Sequence, residues 1–400
     1  MQPEKILGPE WKKETHGKIS VVSMTPDSSY VAIGSDDHDV YLCDHGGKLL
    51  WATSTGDDLE FVKVSDNGDF VGAYSKDSVV SFFNKRGEII WSQRIGKKIN
   101  CMDMACDGSW VLVGSEDRML RAFDHAGRLI WSRDCKKAIN AVCISSSGCL
   151  AVVGTSNNMA FMVTREGQIR WEFTTSSPVI YTFVSEDGEF SFVLEMMNNT
   201  LYQLSDRGYV LSESNYANRV TDISITDDGR YIVIGFANGY VYMTDKNGLQ
   251  LWRQTLSSPI IRVKITDDSS LVFATTADKV VYVLNKKGTP LLMYPLEGVA
   301  YGIANSYEGE YFAVGSCNNL YVFSIGRYLE YIAREQVKVL KLMAEDEKKA
   351  RARKDGNNGN GKGTSPVNVC RRCGEPILTS KVLCNYCEMM QRRAERSGSE

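Results

Sequence analysis

Apolar and polar residues alternate along most of this chain in short runs, and the runs recur in a fixed order. A stretch such as FVKVSDNGDF or ISITDDGRYI is followed, after an Asp/Gly turn, by YVAIGS, WVLVGS or YIVIGF. Another polar turn leads to DVYLCD, VYMTD or LYVFS. A phrase ending in a large apolar residue closes the unit: GGKLLW, RGEIIW, AGRLIW, EGQIRW, NGLQLW. Period-two alternation puts one face of a strand in a core and the other toward solvent, so each run predicts a half-buried strand. Asn67-Gly68, Asp107-Gly108, Asp187-Gly188 and Asp228-Gly229 tolerate positive φ at little cost and predict tight hairpins between the runs. Each unit therefore reads as a four-stranded antiparallel meander with the tryptophan on its fourth strand.

Trp11, Trp51, Trp91, Trp131 and Trp171 stand forty residues apart, and the register continues through Leu211 and Trp252 to a point near Leu292. Self-similarity at this period marks stacked copies of one supersecondary unit. The three-strand block starts near Ile19, Leu59, Ile99, Ile139, Val179, Val220, Ile260 and Val299, which makes eight blocks. The last ends at Phe323-Ser324 with no tryptophan strand after it, while the chain begins with an orphan one, GPEWKKE around Trp11. The fold class expected is all-β, an eight-bladed propeller whose final blade is completed by the N-terminal strand. Closing the ring in this way leaves no unpaired sheet end. Seven blades is the alternative, with the fifth block (SFVLEMMNNTLYQL) as the irregular one because it lacks the usual glycine turn.

These residues resemble two repeat families. The D-x-x-G-x-x-x-W phrase, Asp44 to Trp51 and Asp124 to Trp131, resembles the quinoprotein-type (PQQ-like) propeller repeat. The D-G…V-G-S-x-D pattern from Asp107 to Asp117 resembles WD40. The resemblance covers roughly residues 6–326 and implies a propeller. It departs from WD40 in lacking the Gly-His and Trp-Asp dipeptides; Phe123-Asp124 and Phe83-Asn84 stand at the second position. Quinoprotein dehydrogenases are secreted enzymes with a disulfide of adjacent cysteines over the cofactor and an acidic calcium site. This chain has no Cys-Cys pair and no recognisable equivalent.

Composition adds the setting. The first residues, MQPEKILGPEW, show no basic stretch followed by an apolar run, and no apolar run approaches a membrane span, so a cytoplasmic protein with no membrane partner is expected. Cys43, Cys101, Cys106, Cys135, Cys143, Cys149 and Cys317 follow no pairing pattern, which suits a reducing compartment.

The period changes after residue 326. RYLEYIAREQVKVLKLMAEDEKKARARK contains no Gly or Pro, and Leu329, Ile332, Gln336, Val339 and Met343 fall on one stripe, so residues 327–354 predict a partly amphipathic helix. It either packs on the propeller rim or dimerises as a short coiled coil. DGNNGNGKGTSP then reads as a flexible linker over residues 355–367. In residues 368–400, Cys370-x-x-Cys373 and Cys384-x-x-Cys387 form two knuckles ten residues apart, resembling a zinc ribbon. Four thiolates fill the tetrahedral shell of Zn2+ and leave no place for water, so a structural zinc is expected, with rubredoxin-like iron as the alternative.

Charge divides the chain. Residues 327–400 hold 16 Lys and Arg against 10 Asp and Glu, net +6; the remainder holds 30 against 39, net −9. The basic ribbon, with Arg371, Arg372, Lys381, Arg392 and Arg393, makes nucleic acid a candidate partner. On the propeller, Lys97-Lys98 and Lys136-Lys137 stand in matching loops one period apart, and Asp57-Asp58 stands at the corresponding point of the preceding unit. One face is thus expected to be charge-patterned by sector and to bind a partner protein, since loops on a rigid scaffold commonly carry function. The innermost strands carry Lys63, Asp103, Asp222, Arg262 and Lys264, which either line the central channel or pair between blades. Of the four histidines, His45 and His125 recur at one place in the repeat and read as turn residues; His38, among Asp36, Asp37 and Asp39, reads as a solvated hairpin turn. No nucleophile elbow, phosphate-binding glycine loop or H-E-x-x-H occurs.

The functional expectation is a non-enzymatic scaffold: a disc that binds a partner protein on one face, with the tethered ribbon as a second binding module. The alternatives are nucleic-acid association through the ribbon and a quinoprotein-like enzyme working at the channel mouth.

Overall fold

A computed structural model describes residues 8–328. The helix expected over 327–354 falls outside the described residues except for 327 and 328, and the linker, the ribbon and Cys370, Cys373, Cys384 and Cys387 fall outside them altogether. The described chain forms eight four-stranded antiparallel sheets. After β1 (Trp11–Glu14) come blade 1, β2–β5 (19–54); blade 2, β6–β9 (59–94); blade 3, β10–β13 (99–134); and blade 4, β14–β17 (139–174). Blade 5 is β18–β21 (179–215), blade 6 β22–β25 (220–255), blade 7 β26–β29 (260–295) and blade 8 β30–β32 (300–324). Blade 8 takes β1 as its fourth strand, Trp11 lying opposite Val322. The ring thus closes as the strand pattern predicts, with eight blades and not seven. No helix among the described residues is long and apolar enough to cross a membrane.

The core lies between blades. Ala32, Val40 and Leu42 of blade 1 pack with Leu59, Val62 and Val71 of blade 2, and the same sandwich recurs at the next seams. At the closing seam Ile19, Ile33 and Tyr41 of blade 1 meet Ala313, Leu320 and Val322 of blade 8. A sheet with both faces covered in this way reads as nearly continuous apolar sequence, which is why YVAIGS and WVLVGS alternate so weakly.

The recurrent tryptophan is an inter-blade lock. Each ring lies over a turn glycine of the next blade, and four of the six donate their indole N–H to a turn carbonyl there: Trp11 to His45 O at 2.8 Å, Trp51 to Lys85 O at 3.0 Å, Trp131 to Arg165 O at 2.7 Å and Trp252 to Lys286 O at 2.9 Å. The buried indole N–H groups of Trp91 and Trp171 have no partner among the described residues. Gly87, under Trp51, has φ +80°, and a Cβ there would fall 2.6 Å from the indole. Both the backbone conformation and the close approach require glycine.

Blade 5 corrects the repeat count at one point. Its turn between β19 (Phe190–Glu195) and β20 (Thr200–Ser205) has four residues where blades 1 to 4 have three. The extra residue shifts everything after it, so Ser212, not Leu211, occupies the sixth tryptophan position, opposite Gln203 on β20. Ser212 Oγ reaches Lys246 O at 3.5 Å, the carbonyl an indole would address, and also donates to Gln203 Oε1 at 3.1 Å. The irregularity noticed in the fifth block is real, yet the blade is fully formed.

Candidate partner-binding face

Loops that carry the chain from each outermost strand to the next innermost one share a face with the turns between the second and third strands. Backbone bonds tie the two sets together: Asp36 N to Lys18 O, Lys76 N to Asp58 O and Glu116 N to Lys98 O, each 2.9 Å. Lys97, Lys98, Lys136, Lys137, Asp57, Asp58 and His38 all lie on this face, whereas His45 and His125 lie in turns between third and fourth strands, at the other end of the blades.

Its acidic sector, around blades 1 and 2, is largely occupied by internal contacts. Asp37 Oδ2 accepts Gly17 N at 2.8 Å and Tyr41 OH at 2.6 Å. Burial works to raise the Asp37 pKa, but the donors Tyr41, Asp39 N, Ser35 and Gly17 N outweigh it and hold the carboxyl below its ordinary range. Asp58 takes the Lys76 ammonium at 2.7 Å and lies 3.2 Å from His38 Nδ1. Asp57 Oδ1 accepts Asp58 N at 2.8 Å. His38, exposed and at φ +73°, is therefore part of a polar turn, as its surroundings in sequence suggest. Its imidazole and the Asp57 and Asp58 carboxylates could approach one cation, their ligand atoms lying within 4.8 Å of one another. Lys76 already neutralises one of those carboxylates.

The basic sector, at blades 3 and 4, is different. Lys97, Lys98, Lys136 and Lys137 are all exposed, and among the described residues none of their ammonium groups has an ion-pair or hydrogen-bond partner. The two pairs are not in the same register. β10 (Ile99–Met104) begins one residue after Lys98, whereas β14 (Ile139–Ile144) begins two after Lys137, so Lys97 and Lys137 are equivalents and Lys136 sits where the preceding loops have Gly56 and Gly96. Lys136 adopts φ +65° there, its N–H held by Asp134 Oδ1 at 2.8 Å. Asp57 is the counterpart of Lys97 and Lys137, as the sequence implies.

Beside Lys136 a groove of about 270 Å3 opens between blades 3 and 4. Met159, Phe161 and Ile169 line its interior, and Arg133, Lys136 and Glu172 are among its polar walls. Cys135 forms part of its wall at the first loop position; the equivalent residue is Ile95 after blade 2, Leu256 after blade 6 and Leu296 after blade 7, all buried, but Thr15, Thr55 and Thr175 in three other loops. The Cys135 thiol is pushed up to about 11 by burial, so it is protonated and unreactive at neutral pH. Sequence periodicity gives no sign of this groove.

Polar residues of the innermost strands bind the next blade. Neighbouring innermost strands diverge without pairing, leaving backbone groups in need of partners. Side chains supply them: Ser20 Oγ to Leu59 O at 2.6 Å, Asn100 Nδ2 to Ile139 O at 3.0 Å, Asn140 Nδ2 to Val179 O at 3.1 Å. Arg262 Nε donates to Tyr301 O at 3.1 Å, and Asp222 Oδ2 accepts Val263 N at 2.9 Å. Lys63 lies 2.7 Å from Asp103, whose other oxygen accepts Ile144 N at 2.7 Å. Burial works against the Lys63 ammonium, but Asp103 outweighs it and the pKa rises. Of the two sequence expectations, pairing between blades is what the structure shows for Lys63, Asp103, Asp222 and Arg262. Not foreseen were Asp227 and Asp267 at the far mouth, where burial and the Asp227 carboxylate push Asp267 up to about 6. The repeated Asp-Asp before the hairpin turn was the available signal.

The histidines behave as turn residues. His45 Nδ1 lies 3.2 Å from Ser28 O and its ring stands edge-on to Tyr311 at 4.6 Å; His125 N donates to Ser109 O at 3.2 Å.

Comparison with known families matches residues 36–182 to the repeat family described as outer membrane protein assembly factor BamB, and residues 9–44 to the WD domain, G-beta repeat. No curated protein matches the chain. Among solved structures, Sqt1 of Saccharomyces cerevisiae is similar at TM-score 0.68 and 12% identity over 80% of this chain and 99% of that one. Sqt1 of Chaetomium thermophilum, bound to the N-terminus of the ribosomal protein L10, is similar at TM-score 0.69 and 13% identity over 80% and 100%. The computationally designed Ika8 protein is similar at TM-score 0.68 and 16% identity over 78% and 98%. Such low identities speak for the fold alone. What these likenesses support for this chain is a β-propeller built from WD40-like and PQQ-like repeats.

Proposed function

We propose that this protein is a non-enzymatic scaffold that captures a partner protein on the face carrying Lys97, Lys98, Lys136 and Lys137, with the C-terminal four-cysteine segment as a second module. The observation that carries the reading is the contrast between sectors. Carboxylates around Asp57 and Asp58 are engaged internally, while four lysines in adjacent loops are exposed and unpaired among the described residues. Exposed charge without an internal partner is available to a binding partner. The Chaetomium thermophilum Sqt1 structure, with a ribosomal protein segment bound, is a propeller of similar fold that binds protein. Functional chemistry in the channel is disfavoured, because its charged side chains are largely engaged in tying blades together.

The second module rests on the spacing of Cys370, Cys373, Cys384 and Cys387, which suits structural zinc. A linker raises the effective concentration of one module near the other's target, so two weak affinities combine. Deleting residues 355–400 is expected to weaken capture of the partner at least tenfold while leaving the melting temperature of the rest unchanged. Equal capture by the shortened chain refutes the two-module arrangement. The net charge of +6 over residues 327–400 favours a second reading, nucleic-acid association through this segment, which steep salt dependence of binding by the full chain but not the shortened one would reveal.

A further inference from the structure

The groove beside Lys136 is lined by apolar and polar side chains together and bordered by lysines that have no ion-pair partner among the described residues. We infer that it receives an acidic peptide segment of a partner protein, one aliphatic side chain entering the groove and carboxylates beside it meeting Lys97, Lys98, Lys136 and Lys137; this rests on the scaffold reading above and names the kind of partner.

Three observations carry the assignment. The groove, at about 270 Å3, is below the usual range for a small-molecule site (roughly 300–1,000 Å3) but ample for one side chain. Met159, Phe161 and Ile169 among its lining give an aliphatic side chain apolar contacts, and the unbranched Met159 adapts to its shape. Charge supplies the complement. Asp134 is already engaged by Lys136 N at 2.8 Å and by Arg118 at 3.5 Å, so it does not neutralise the lysines. Glu172, on β17 (Ile169–Thr174), lines the groove and repels acid on its own side. The carboxylates of the peptide therefore lie toward the loops, on one flank of the anchor.

Nucleic acid fits less well. The chain outside residues 327–400 carries net −9, which repels an extended polyanion beyond the four lysines. The one aromatic residue lining the groove, Phe161, is buried and presents no stacking platform. A short acidic segment meets the lysines without crossing the acidic remainder of the disc.

The test is to pan a random twelve-residue peptide display library against the full chain, then measure the selected peptides by fluorescence anisotropy. Selected sequences are expected to share an aliphatic residue flanked on one side by two or more Asp or Glu. Affinity should fall at least tenfold on the Lys97→Glu/Lys98→Glu/Lys136→Glu/Lys137→Glu variant, whose sites are all exposed and should leave melting unchanged. Filling the groove with Cys135→Leu should cost a further several-fold. If Cys135→Leu impairs folding, the lysine variant decides alone. Selected peptides without acidic enrichment, or equal binding to the lysine variant, overturn the inference. So does a labelled single-stranded oligonucleotide that binds through the same lysines when no peptide consensus emerges. Should the lysine variant lose the cellular partner while the selected peptides show no acidic enrichment, the inference fails and the scaffold reading stands; capture by the variant at the wild-type level overturns both.

Discussion

Glu195 shows how one residue can carry a local exception to a repeat. At the equivalent strand end the first four blades have Ser35, Ser75, Ser115 and Thr155, short hydroxyl side chains beneath a three-residue turn. In blade 5 Glu195 stands before the longer turn, and with no exposed surface it reaches the loop that enters the blade, accepting Ser176 N at 3.0 Å, Ser177 N at 3.1 Å and Ser176 Oγ at 2.9 Å. Burial pushes its pKa up, but the hydrogen bonds from Ser176, Thr200 and Ser177 outweigh that and leave it below the ordinary glutamate value. A depressed folded-state pKa gives stability that is present above the unfolded value and lost as pH falls through the folded one. Glu195→Gln is therefore expected to cost about 1–3 kcal/mol at pH 7, the usual range for a buried charged acceptor replaced by a neutral group. Urea unfolding at pH 7 and again below pH 4 checks this: the gap between wild type and variant should shrink at the lower pH, and a constant gap would show that the carboxylate is not what holds the Ser176-Ser177 loop. The same turn leaves Met196 and Met197 exposed at 51% and 76%, the latter the most exposed of the large apolar side chains described.

Among elements, β1 has a role out of proportion to its four residues. It supplies the fourth strand of blade 8 and, through Trp11, the lock onto Gly47 and His45 of blade 1. Removing residues 1–14 exposes the edge of β32 (Asn319–Ser324) and frees the closing seam. The expected outcome is a melting temperature lower by ten degrees or more and concentration-dependent aggregation, as an unpaired edge invites pairing with another chain. A shortened chain that melts normally and stays monomeric would mean that the ring holds without this strand. The closure could be read from the sequence because an orphan tryptophan strand at one end matched a missing one at the other. The slip after Trp171 shows in the block starts, Val179 and Val220 standing 41 residues apart, but its place could not be read. Its inserted residue falls in a turn without glycine, and Ser212 replaces the marker that would have dated the shift. Side-chain alternation is blind to such a step in a loop.

For the whole molecule, the legible part of the candidate site was its charge, and the hidden part was its shape. Two lysine pairs in adjacent loops stand out in the sequence, and the period alone puts them on one face. That Asp58 is engaged by Lys76 and His38 while the lysines are not, and that a groove opens beside them, depends on side-chain placement that repeats do not encode. The account joins these into one claim: an unspent basic sector on a rigid disc is where a partner protein docks. Charge-steered capture of this kind is salt-sensitive and acts through the lysines, not through the channel. The most direct measurement is capture from native cell extract, after nuclease treatment, with the full-length chain and the four-lysine reversal variant as paired baits. The account predicts a protein retained by the wild-type chain in near-stoichiometric amount and lost from the variant. Retention of the same protein by both baits, or of nothing once nucleic acid is removed, would contradict it.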